Sequence, residues 1–431
     1  MRIAHFSDLH YGTKTLAEAD RCFDAGIDRA VALGAEVAVI SGDSTDHALD
    51  LHAPASAWLA ARVRRLAEHC PVLMLQGTYS HEPPGTLSVF RSLGGRYPIH
   101  VADRIGQVIL THDRCDWIAS TGWCFDTLPQ ESAALFSCLP TVNKATVAAT
   151  VGACDAAQAI GDQLARLLEG FAPTHRLARL RCLPTVGISH GTVFGCVSEH
   201  GVPMAGFDHE FTTGALFAAE AQAFMLGHIH RHQAWTQTAG AGGQVIAYAG
   251  SIGRFHYGEE GEKGFLLWDV EADAARCTLV ATPARRTIDI VFEGRPDIEA
   301  LRETVARQDV DGASVRVRWT VAEEDRSVVD REAICRVLAG AAEMKLEGRI
   351  VPIVRTRAAG IAQMTRLEDK VLAWARVAEV NAKPLLGCLA ALAESSPEDI
   401  AAKVLEDGQS VEHDSTTEFE VCRDERAAKV S

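Results

Sequence analysis

The stretch Met225-Leu226-Gly227-His228-Ile229-His230 decides how the rest of the sequence is interpreted. It closes the apolar run from Ala221 to Leu226 and presents two histidines two residues apart, directly after a glycine. In an extended backbone, residues i and i+2 point to the same side, so both imidazoles can reach one small volume. Neutral imidazole is the commonest protein metal ligand, and glycine permits close approach of the backbone. Taken alone, the stretch fits two surface histidines after a buried strand equally well.

Polar side chains follow several other strand-like segments. Apolar segments over residues 2–7, 36–40 and 71–75 predict strands, with helices predicted between them, and the sheet begins again at residue 183. Near-continuous apolar strands that alternate with helices predict an α/β fold with a largely parallel sheet covered on both faces. In such sheets the ligand lies beyond the carboxyl ends of the strands. The polar side chains at these ends are Asp8, His10, Asp43, Asp46, residues 78–82, His190, His228 and His230.

Two carboxylates and four imidazoles at the strand ends suggest two divalent transition-type ions rather than one tetrahedral structural zinc. These six residues are Asp8, His10, Asp43, His190, His228 and His230. Two ions about 3.5–4 Å apart are a known arrangement for phosphoryl chemistry. A carboxylate between the ions, which Asp43 could supply, would fix their separation. The alternative is that each cluster falls at a strand end by chance.

The order of these motifs resembles the calcineurin-like metallophosphoesterases over residues 1–250. The matching motifs are Asp8-x-His10, Gly42-Asp43-x-x-Asp46, the glycine-led segment ending in His81, the strand-end His190 and Gly227-His228-x-His230. The segments at residues 190–193 and 248–259 also resemble the nuclease subunits of double-strand-break repair complexes, the SbcD-like nucleases. The resemblance implies a two-sheet metallophosphoesterase sandwich flanked by helices, with a smaller α+β capping domain and C-terminal helices.

The resemblance also implies a role for each site residue. One ion would be held by Asp8, His10 and His230. The other would be held by His190 and His228, with Asp43 bridging both. Asp46 would brace that loop from behind the ligands, since neighbours that orient ligands matter nearly as much as the ligands. His81 would be catalytic, contacting the scissile phosphate and helping the leaving oxygen depart.

The third motif departs from the family pattern. The family has Gly-Asn-His followed by an acid, whereas this chain has Gly77-Thr78-Tyr79-Ser80-His81-Glu82. Either Ser80 or Thr78 supplies an oxygen to the second ion, or that site is weaker and more hydrated. Because a neutral hydroxyl is a poorer ligand than an amide carbonyl oxygen, we predict relaxed metal affinity.

Changes of composition divide the chain into predicted regions. Residues 1–285 form the predicted nuclease domain, with an alanine-rich helical excursion at 113–180 that carries no chemistry of its own. Residues 286–365 form the capping domain, 366–406 the partner-binding helices, and 407–431 a disordered tail. In the capping domain, Arg316 and Arg318 either face DNA or lie on a solvated face neutralised by residues 323–325.

Composition restricts the function classes. The net charge of −15 argues against binding of nucleic acid by bulk electrostatics, so contact with a polyanion must be local, metal-mediated or aided by a partner. Twelve scattered cysteines without a C-x-x-C pair, and no signal peptide at the start, predict reduced thiols in the cytoplasm. No apolar run approaches the roughly 20 residues that would span a bilayer.

The resemblance implies a metal-dependent DNA nuclease, with exonuclease or endonuclease activity, in double-strand-break repair and recombination. It would use two divalent ions, with manganese expected, and act on DNA as a homodimer with an SbcC-like coiled-coil ATPase. Two alternatives stay open. One is a small-molecule phosphatase or phosphodiesterase of the same superfamily, and the other is a scaffold subunit whose third motif has decayed.

Overall fold

The computed structural model describes residues 1–47, 49–50, 52–142, 153–204, 211–239, 242–352 and 360–402. The chain forms two compact units, Met1–Ile350 and Val351–Ser431. The predicted disordered tail at 407–431 lies outside the described residues.

Strands and helices follow one another along the described residues, with most of the strands before residue 290. The strands are β1 (Arg2–Phe6), β2 (Val37–Ile40), β3 (Val72–Leu75), β4 (Ile99–Ala102), β5 (Gly106–Thr111), β6 (Trp117–Ala119), β7 (Ser132–Leu139), β8 (Thr185–His190), β9 (Ala223–Gly227), β10 (Gln233–Ala239), β11 (Gly242–Tyr248), β12 (Gly264–Val270), β13 (Ala275–Ala281), β14 (Thr287–Glu293), β15 (Ser314–Ala322) and β16 (Glu343–Val351). The α-helices are α1 (Leu16–Ala32), α2 (Pro54–Ala67), α3 (Ala153–Leu180), α4 (Thr213–Ala218), α5 (Ile298–Gln308), α6 (Arg331–Val337), α7 (Leu367–Val377) and α8 (Ala382–Glu394).

Two large sheets form the body of the first unit. One has the strand order β13-β12-β1-β2-β3-β4 and the other β10-β11-β9-β8-β7-β5-β6. Strands β1 to β4 run parallel to one another, and so do β7, β8, β9 and β11. Antiparallel pairs lie toward the edges, including the predicted pair of β12 and β13. The carboxyl ends of the parallel strands in each sheet therefore lie at a common edge.

Three apolar layers hold these sheets together. Between them, Val39 and Leu73 of the first sheet pack in one cluster with Phe136 and Met225 of the second. On the outer face of the first sheet, α1 and α2 contribute to a second cluster, and on the outer face of the second sheet α3 and α4 contribute to a third. The strands are apolar along nearly their whole length because both faces of each sheet are covered. The predicted α/β fold, a two-sheet sandwich flanked by helices, is confirmed.

The predicted helical excursion at 113–180 is wrong in its first part. Only α3 is helical as expected, while β7 hydrogen-bonds to both β5 and β8 inside the second sheet. The sequence of β7, SAALFSCL, is buried along its length except for one residue, so it shows no alternation of apolar and polar side chains. A fully buried strand cannot be distinguished from a helix by periodicity alone. Residues 143–152 of the excursion lie outside the described part of the chain.

A three-stranded sheet in the order β14-β15-β16 follows β13, and its core includes Leu301 of α5 and Ile334 of α6. Its third strand begins six residues earlier than the predicted strand at 349–356, of which residues 353–356 are not described. Asp289 lies opposite Arg316 in the register of β14 and β15, and its carboxylate accepts hydrogen bonds from Arg316 and Arg318. The expected neutralisation of these arginines by residues 323–325 is therefore wrong, since Asp289 neutralises them. The domain boundaries themselves stay predictions.

The second unit contains α7 and α8, which pack against each other. Asn381 caps the start of α8, accepting a hydrogen bond from the backbone N–H of Lys383 at 3.0 Å. Over the residues that the structure describes, none of the helices combines the length and the apolar character needed to cross a bilayer.

Candidate metal centre

Every predicted ligand lies just beyond, or on the last residue of, a parallel strand. Asp8 and His10 follow β1, Asp43 and Asp46 follow β2, and the segment at 78–82 follows β3. In the second sheet, His190 ends β8, and His228 and His230 follow β9. Side chains from both sheets thus converge at one rim of the sandwich.

Backbone hydrogen bonds join these loops to one another. In the first sheet, Asp8 N–H donates to the carbonyl of Gly42 at 3.1 Å, and His10 N–H donates to the carbonyl of Asp43 at 3.0 Å. Between the sheets, His228 N–H donates to the carboxylate of Asp8 at 3.1 Å. A Cβ on Gly227 would lie 2.3 Å from the carbonyl oxygen of Ser41, so a side chain there would separate the two sheets. The glycine before His228 is needed for this close approach.

Asp8, His10 and His230 form the first group of candidate ligands. One ligand atom from each lies within 4.8 Å of the others. The Nε2 atoms of His10 and His230 are 2.9 Å apart, and the Asp8 carboxylate lies 3.9 Å from His230 Nε2. Asp8 is fully buried and accepts a hydrogen bond from Ser7 Oγ at 2.5 Å. Burial raises the pKa of Asp8, and the nearby His190 partly opposes this effect. The resulting pKa of Asp8 is about 6, above its usual range.

Asp43, His190 and His228 form the second group. Asp43 Oδ2 lies 3.1 Å from His190 Nε2, and the His190 and His228 rings lie 5.3 Å apart in an edge-to-face arrangement. His190 Nδ1 lies 2.8 Å from the carbonyl oxygen of Ser41, which fixes the proton on Nδ1 and turns Nε2 toward Asp43. Burial would raise the pKa of Asp43, but His190, together with His10 and His81, opposes this and the pKa lies far below its usual range.

Of Thr78 and Ser80, it is Thr78 that lies beside the second group. Its Oγ1 lies 3.1 Å from Asp43 Oδ2 and 3.2 Å from His190 Nε2, while its backbone N–H donates to Asp43 Oδ1 at 2.7 Å. Ser80 is exposed. Thr78 is therefore the residue whose hydroxyl is in place to contribute an oxygen.

Both groups fit divalent ions. When two ligand nitrogens bind one ion at about 2.1 Å and near a right angle, they lie about 3 Å apart. The spacings within the two groups, 2.9 Å between two imidazoles and 3.1–3.2 Å within the Thr78–Asp43–His190 triangle, match that value. In the first group it is Nε2 of His230 that faces His10 and Asp8. Imidazole and carboxylate donors of this kind suit transition-type divalent ions.

The backbone at the candidate ligands adopts an unusual conformation. Positive φ angles occur at Asp8 (50°), His10 (47°), Asp43 (50°) and His228 (98°). Residues other than glycine seldom adopt this region, and such residues concentrate at functional sites. Four of the ten non-glycine residues with positive φ in the described part of the chain are therefore candidate ligands.

His81 and Asp46 lie together beside the first group. His81 Nδ1 is 3.5 Å from Asp46 Oδ1, and its ring meets the His10 ring edge-on at 4.9 Å. The His81 side chain is 23% exposed, so it borders solvent as well as the candidate ligands. Asp46 thus contacts the predicted catalytic histidine, and its backbone N–H donates to the carbonyl of Tyr11 in the loop after β1.

Two further features of the site involve residues that the sequence did not assign to the ligand groups. Glu82 is fully buried and accepts hydrogen bonds from the backbone N–H groups of Ser44 and Gly77, both at 2.5 Å, which joins the loops after β2 and β3. Burial raises the pKa of Glu82 to about 7. His256 stacks on His230 with ring centroids 6.1 Å apart. The acid after His81 was the only sequence signal for the first feature, whereas the resemblance at residues 248–259 placed His256 near the site, with substrate contact and no such contact left open.

Comparisons with known proteins add one structural likeness. No family model matches the chain, and no curated protein matches it. Among solved structures, the chain is similar to a dimetal phosphatase from Danio rerio, with 12% identity and a TM-score of 0.39 over 65% of this chain and 98% of that one. The functional assignment therefore rests on the geometry of the candidate metal centre.

Proposed function

We propose that the chain is a metal-dependent phosphodiesterase with a two-ion site, and that its substrate is DNA. The observation that carries the proposal is the contact between two groups of largely buried candidate metal ligands. A hydrogen bond from the backbone N–H of His228, in the second group, to the carboxylate of Asp8, in the first, joins the two groups. Paired divalent ions, when bound, supply Lewis acidity and lower the pKa of water. Manganese is our choice of ion, on the mixed imidazole and carboxylate donor set.

The residues around the two groups have complementary roles in this proposal. Asp8, His10 and His230 hold one ion, His190 and His228 hold the other, and Asp43 is shared. His81, half-buried at the rim, contacts the scissile phosphate and delivers a proton to the leaving oxygen. Asp46, 3.5 Å from His81 Nδ1, orients that ring. In this proposal the six candidate ligands hold the ions, and His81 is the side chain that reaches the substrate.

A cleft beside the metal centre favours DNA over a small ester. The cleft has a volume of about 690 Å³, and its lining includes Phe255 and His256, which also contact the rings of His10 and His230. The lining contains five cationic and two acidic side chains in a chain whose net charge is −15. Phosphate contacts supply most of the sequence-independent affinity for DNA. This local concentration of positive charge explains how an acidic protein can bind a polyanion.

Three cations of the cleft are available for phosphates. Among the described residues, the cationic side-chain groups of Lys14, Arg254 and Arg285 form no ion pair with a carboxylate, whereas those of Arg316 and Lys345 are paired with Asp289 and Glu347. The guanidinium of Arg254 donates to the carbonyl oxygen of Gly261 at 2.6 Å, which fixes its position. The aromatic rings of Phe255 and Tyr257 line the same space and offer faces on which bases can stack.

The C-terminal helices support the proposed partner. An apolar groove of about 380 Å³ lies along α7 and α8, and Leu392 on its wall is 54% exposed. The groove is lined by Ile361, Lys370, Val371, Trp374, Leu385, Cys388, Leu389 and Leu392. An exposed apolar groove of this kind accepts the apolar face of a helix. We propose that a helix of an SbcC-like coiled-coil ATPase binds here, and that the nuclease acts as a homodimer in double-strand-break repair.

The proposal is tested by comparing two substrates. The full-length protein with Mn²⁺ is assayed on end-labelled linear duplex DNA and on bis-nitrophenyl phosphate, with Asp43→Asn as the inactive reference. Metal-dependent cleavage of both substrates is the expected result. Hydrolysis of the nitrophenyl ester alone would contradict DNA as the substrate and favour a small-molecule phosphodiesterase. Absence of hydrolysis with both would contradict the phosphodiesterase assignment and favour the scaffold alternative.

The role of the cleft has its own control. Arg285→Gln removes an unpaired cation from the lining, whereas Arg286→Gln changes the next residue, which is exposed and paired with Asp309. We expect Arg285→Gln to weaken DNA binding uniformly across sequences and to reduce the salt dependence by about one phosphate contact, without changing nitrophenyl ester hydrolysis. Equal behaviour of the two variants on DNA would exclude the cleft as a phosphate-binding surface.

A further inference from the structure

A buried ion pair lies directly behind His230. Lys263, the residue before β12, is 1% exposed in its side chain, and its ammonium forms an ion pair with the carboxylate of Glu259, which is 0% exposed. The same ammonium donates hydrogen bonds to the carbonyl oxygen of His230 at 2.6 Å and to Ser251 Oγ at 2.9 Å. Lys263 thus hydrogen-bonds to the backbone of a candidate metal ligand.

The carboxylate of this pair organises the turn on the other side of His230. Glu259 Oε1 accepts hydrogen bonds from the backbone N–H groups of Phe255 at 2.9 Å and His256 at 2.6 Å. That turn presents the two rings that flank the His230 imidazole. Phe255 meets it edge-on at 6.4 Å, and His256 stacks on it at an interplanar angle of 8°. The ion pair therefore fixes His230 at its carbonyl and, through the turn, at its ring.

Stability of the fold is a poor explanation for such a pair. Moving two charges out of water costs several kcal/mol per ion, and replacing a buried pair by apolar side chains is often neutral or stabilising. The best-supported reason to keep buried charges is conformational specificity. Here the specificity concerns one residue, because both ends of the pair contact groups that surround His230.

A charged lysine is needed here rather than a neutral hydrogen-bond donor, because the carboxylate of Glu259 would otherwise have no counter-charge. The carboxylate of Glu259 and the imidazoles of His230 and His256 offer ligand atoms within 4.8 Å of one another. An unneutralised carboxylate at this place would compete for a cation, or for His230 itself, against Asp8 and His10. With the ammonium of Lys263 beside it, Glu259 already has its counter-charge.

We propose that the Lys263–Glu259 pair is a positioning device that holds His230 toward Asp8 and His10, and that it tunes the affinity of the first ion group only. This inference rests on the proposed role of His230 as a metal ligand. Lys263 and Glu259 are not themselves assigned contact with substrate or ion. Second-layer partners of metal ligands typically affect metal affinity by about 10- to 100-fold when substituted.

The test measures ion binding by the metal-free, full-length protein. Mn²⁺ is titrated calorimetrically into the wild type, Lys263→Met, Glu259→Gln, and the double variant Glu259→Gln/Lys263→Met. Glu262→Gln, an exposed neighbour in the same segment, is the matched control. We expect one of two binding events to weaken by about 10- to 100-fold in Lys263→Met, with the other event and the control unchanged. The double variant should lose less affinity than Lys263→Met, because it carries no unpaired carboxylate beside His230 and His256.

Urea unfolding of the metal-free variants separates positioning from simple stabilisation. If the pair only stabilises the fold, the variants unfold at lower urea while the folded protein binds both Mn²⁺ ions with wild-type affinity, and the inference is overturned. Should Lys263→Met fail to fold, the double variant, which buries no lone charge, is titrated instead: a smaller loss of affinity at one site supports the inference, and wild-type affinity at both sites overturns it. Wild-type protein that binds no Mn²⁺ would overturn the proposed function together with this inference, whereas unchanged binding by the variants overturns this inference alone.

Discussion

Replacing Thr78 by valine tests the most unusual ligand of the candidate centre. Valine keeps the shape of threonine and removes only the hydroxyl, which lies 3.1 Å from Asp43 Oδ2 and 3.2 Å from His190 Nε2. The backbone N–H of residue 78, which donates to Asp43 Oδ1 at 2.7 Å, stays in place. The variant therefore removes one neutral oxygen from the second ion group and leaves Asp43 anchored.

The size of the effect follows from the kind of contact that is lost. A hydrogen bond or comparable polar contact to a charged group contributes roughly 1.5–3 kcal/mol. At about 1.4 kcal/mol per factor of ten, this corresponds to an affinity roughly 10- to 150-fold weaker for one ion. The first group contains no atom of Thr78, so the other ion should bind as in the wild type.

The assay is calorimetric titration of Mn²⁺ into the metal-free protein, which should resolve two unequal sites in the wild type because the second group relies on the neutral hydroxyl of Thr78, a weak ligand. We expect Thr78→Val to weaken the weaker site further, and Thr78→Ser to retain wild-type binding. Ser80→Ala is the matched control, since Ser80 is exposed and its loss should change nothing. Two equally tight sites in the wild type, or equal effects of Thr78→Val and Ser80→Ala, would refute the reasoning.

Three further predictions follow from the same geometry. His81→Asn should lower DNA turnover by about 10²- to 10⁴-fold while leaving Mn²⁺ affinity unchanged, because the proposed partner of His81 is the phosphate rather than an ion. His10, Asp46 and His81 also offer ligand atoms within 4.8 Å of one another, so parallel loss of turnover and Mn²⁺ affinity would make His81 a ligand. Chelation of bound ions should lower the melting temperature, since each ion at 100 times its Kd adds about 2.7 kcal/mol to the unfolding free energy. Calorimetry with and without EDTA measures this shift. An unchanged Tm would mean that no ion is bound. Burial lowers the pKa of His175 to about 4, so between pH 6.5 and 4 the unfolded chain takes up a proton that the folded chain does not. Because of this group, the unfolding free energy should fall by roughly 3 kcal/mol as the pH drops through that window. His175→Gln should reduce the slope of the unfolding free energy against pH by about one proton, and an unaltered slope would contradict the prediction.

The positions of the candidate ligands along their strands were predictable from strand order and direction. Parallel strands end at a common edge, so Asp8 and Asp43 come together in the first sheet and His190 and His228 in the second. The packing of one sheet on the other, which no strand pattern describes, then brings these two pairs to one rim. The sequence supplied the strands through their apolar runs and the ligands through their position after those runs. No side-chain geometry was needed for this step.

What could not be predicted depends on geometry inside turns and between distant segments. The choice of Thr78 over Ser80 follows from the backbone N–H of Thr78 donating to Asp43, which no spacing rule describes. Glu259 and Lys263 are ordinary charged residues four positions apart, and their burial results from packing behind the loop after β9. The strand β7 was assigned to a helical segment because its buried, alanine-containing sequence lacks a period of two.

The candidate centre combines buried carboxyl groups with uncommon backbone conformations. Asp8 and Asp43 are both buried, and the charge on Asp43 contributes to the raised pKa of Asp8, whereas the neighbouring histidines hold the pKa of Asp43 far below its usual range. Four candidate ligands also hold left-handed backbone conformations that cost of order 1–3 kcal/mol each and persist only where the surroundings impose them. A fold selected for stability alone would place apolar side chains with ordinary dihedral angles at this rim. The concentration of both costs at the same residues, at the contact between the two sheets, is therefore best explained by the binding of positive charge there.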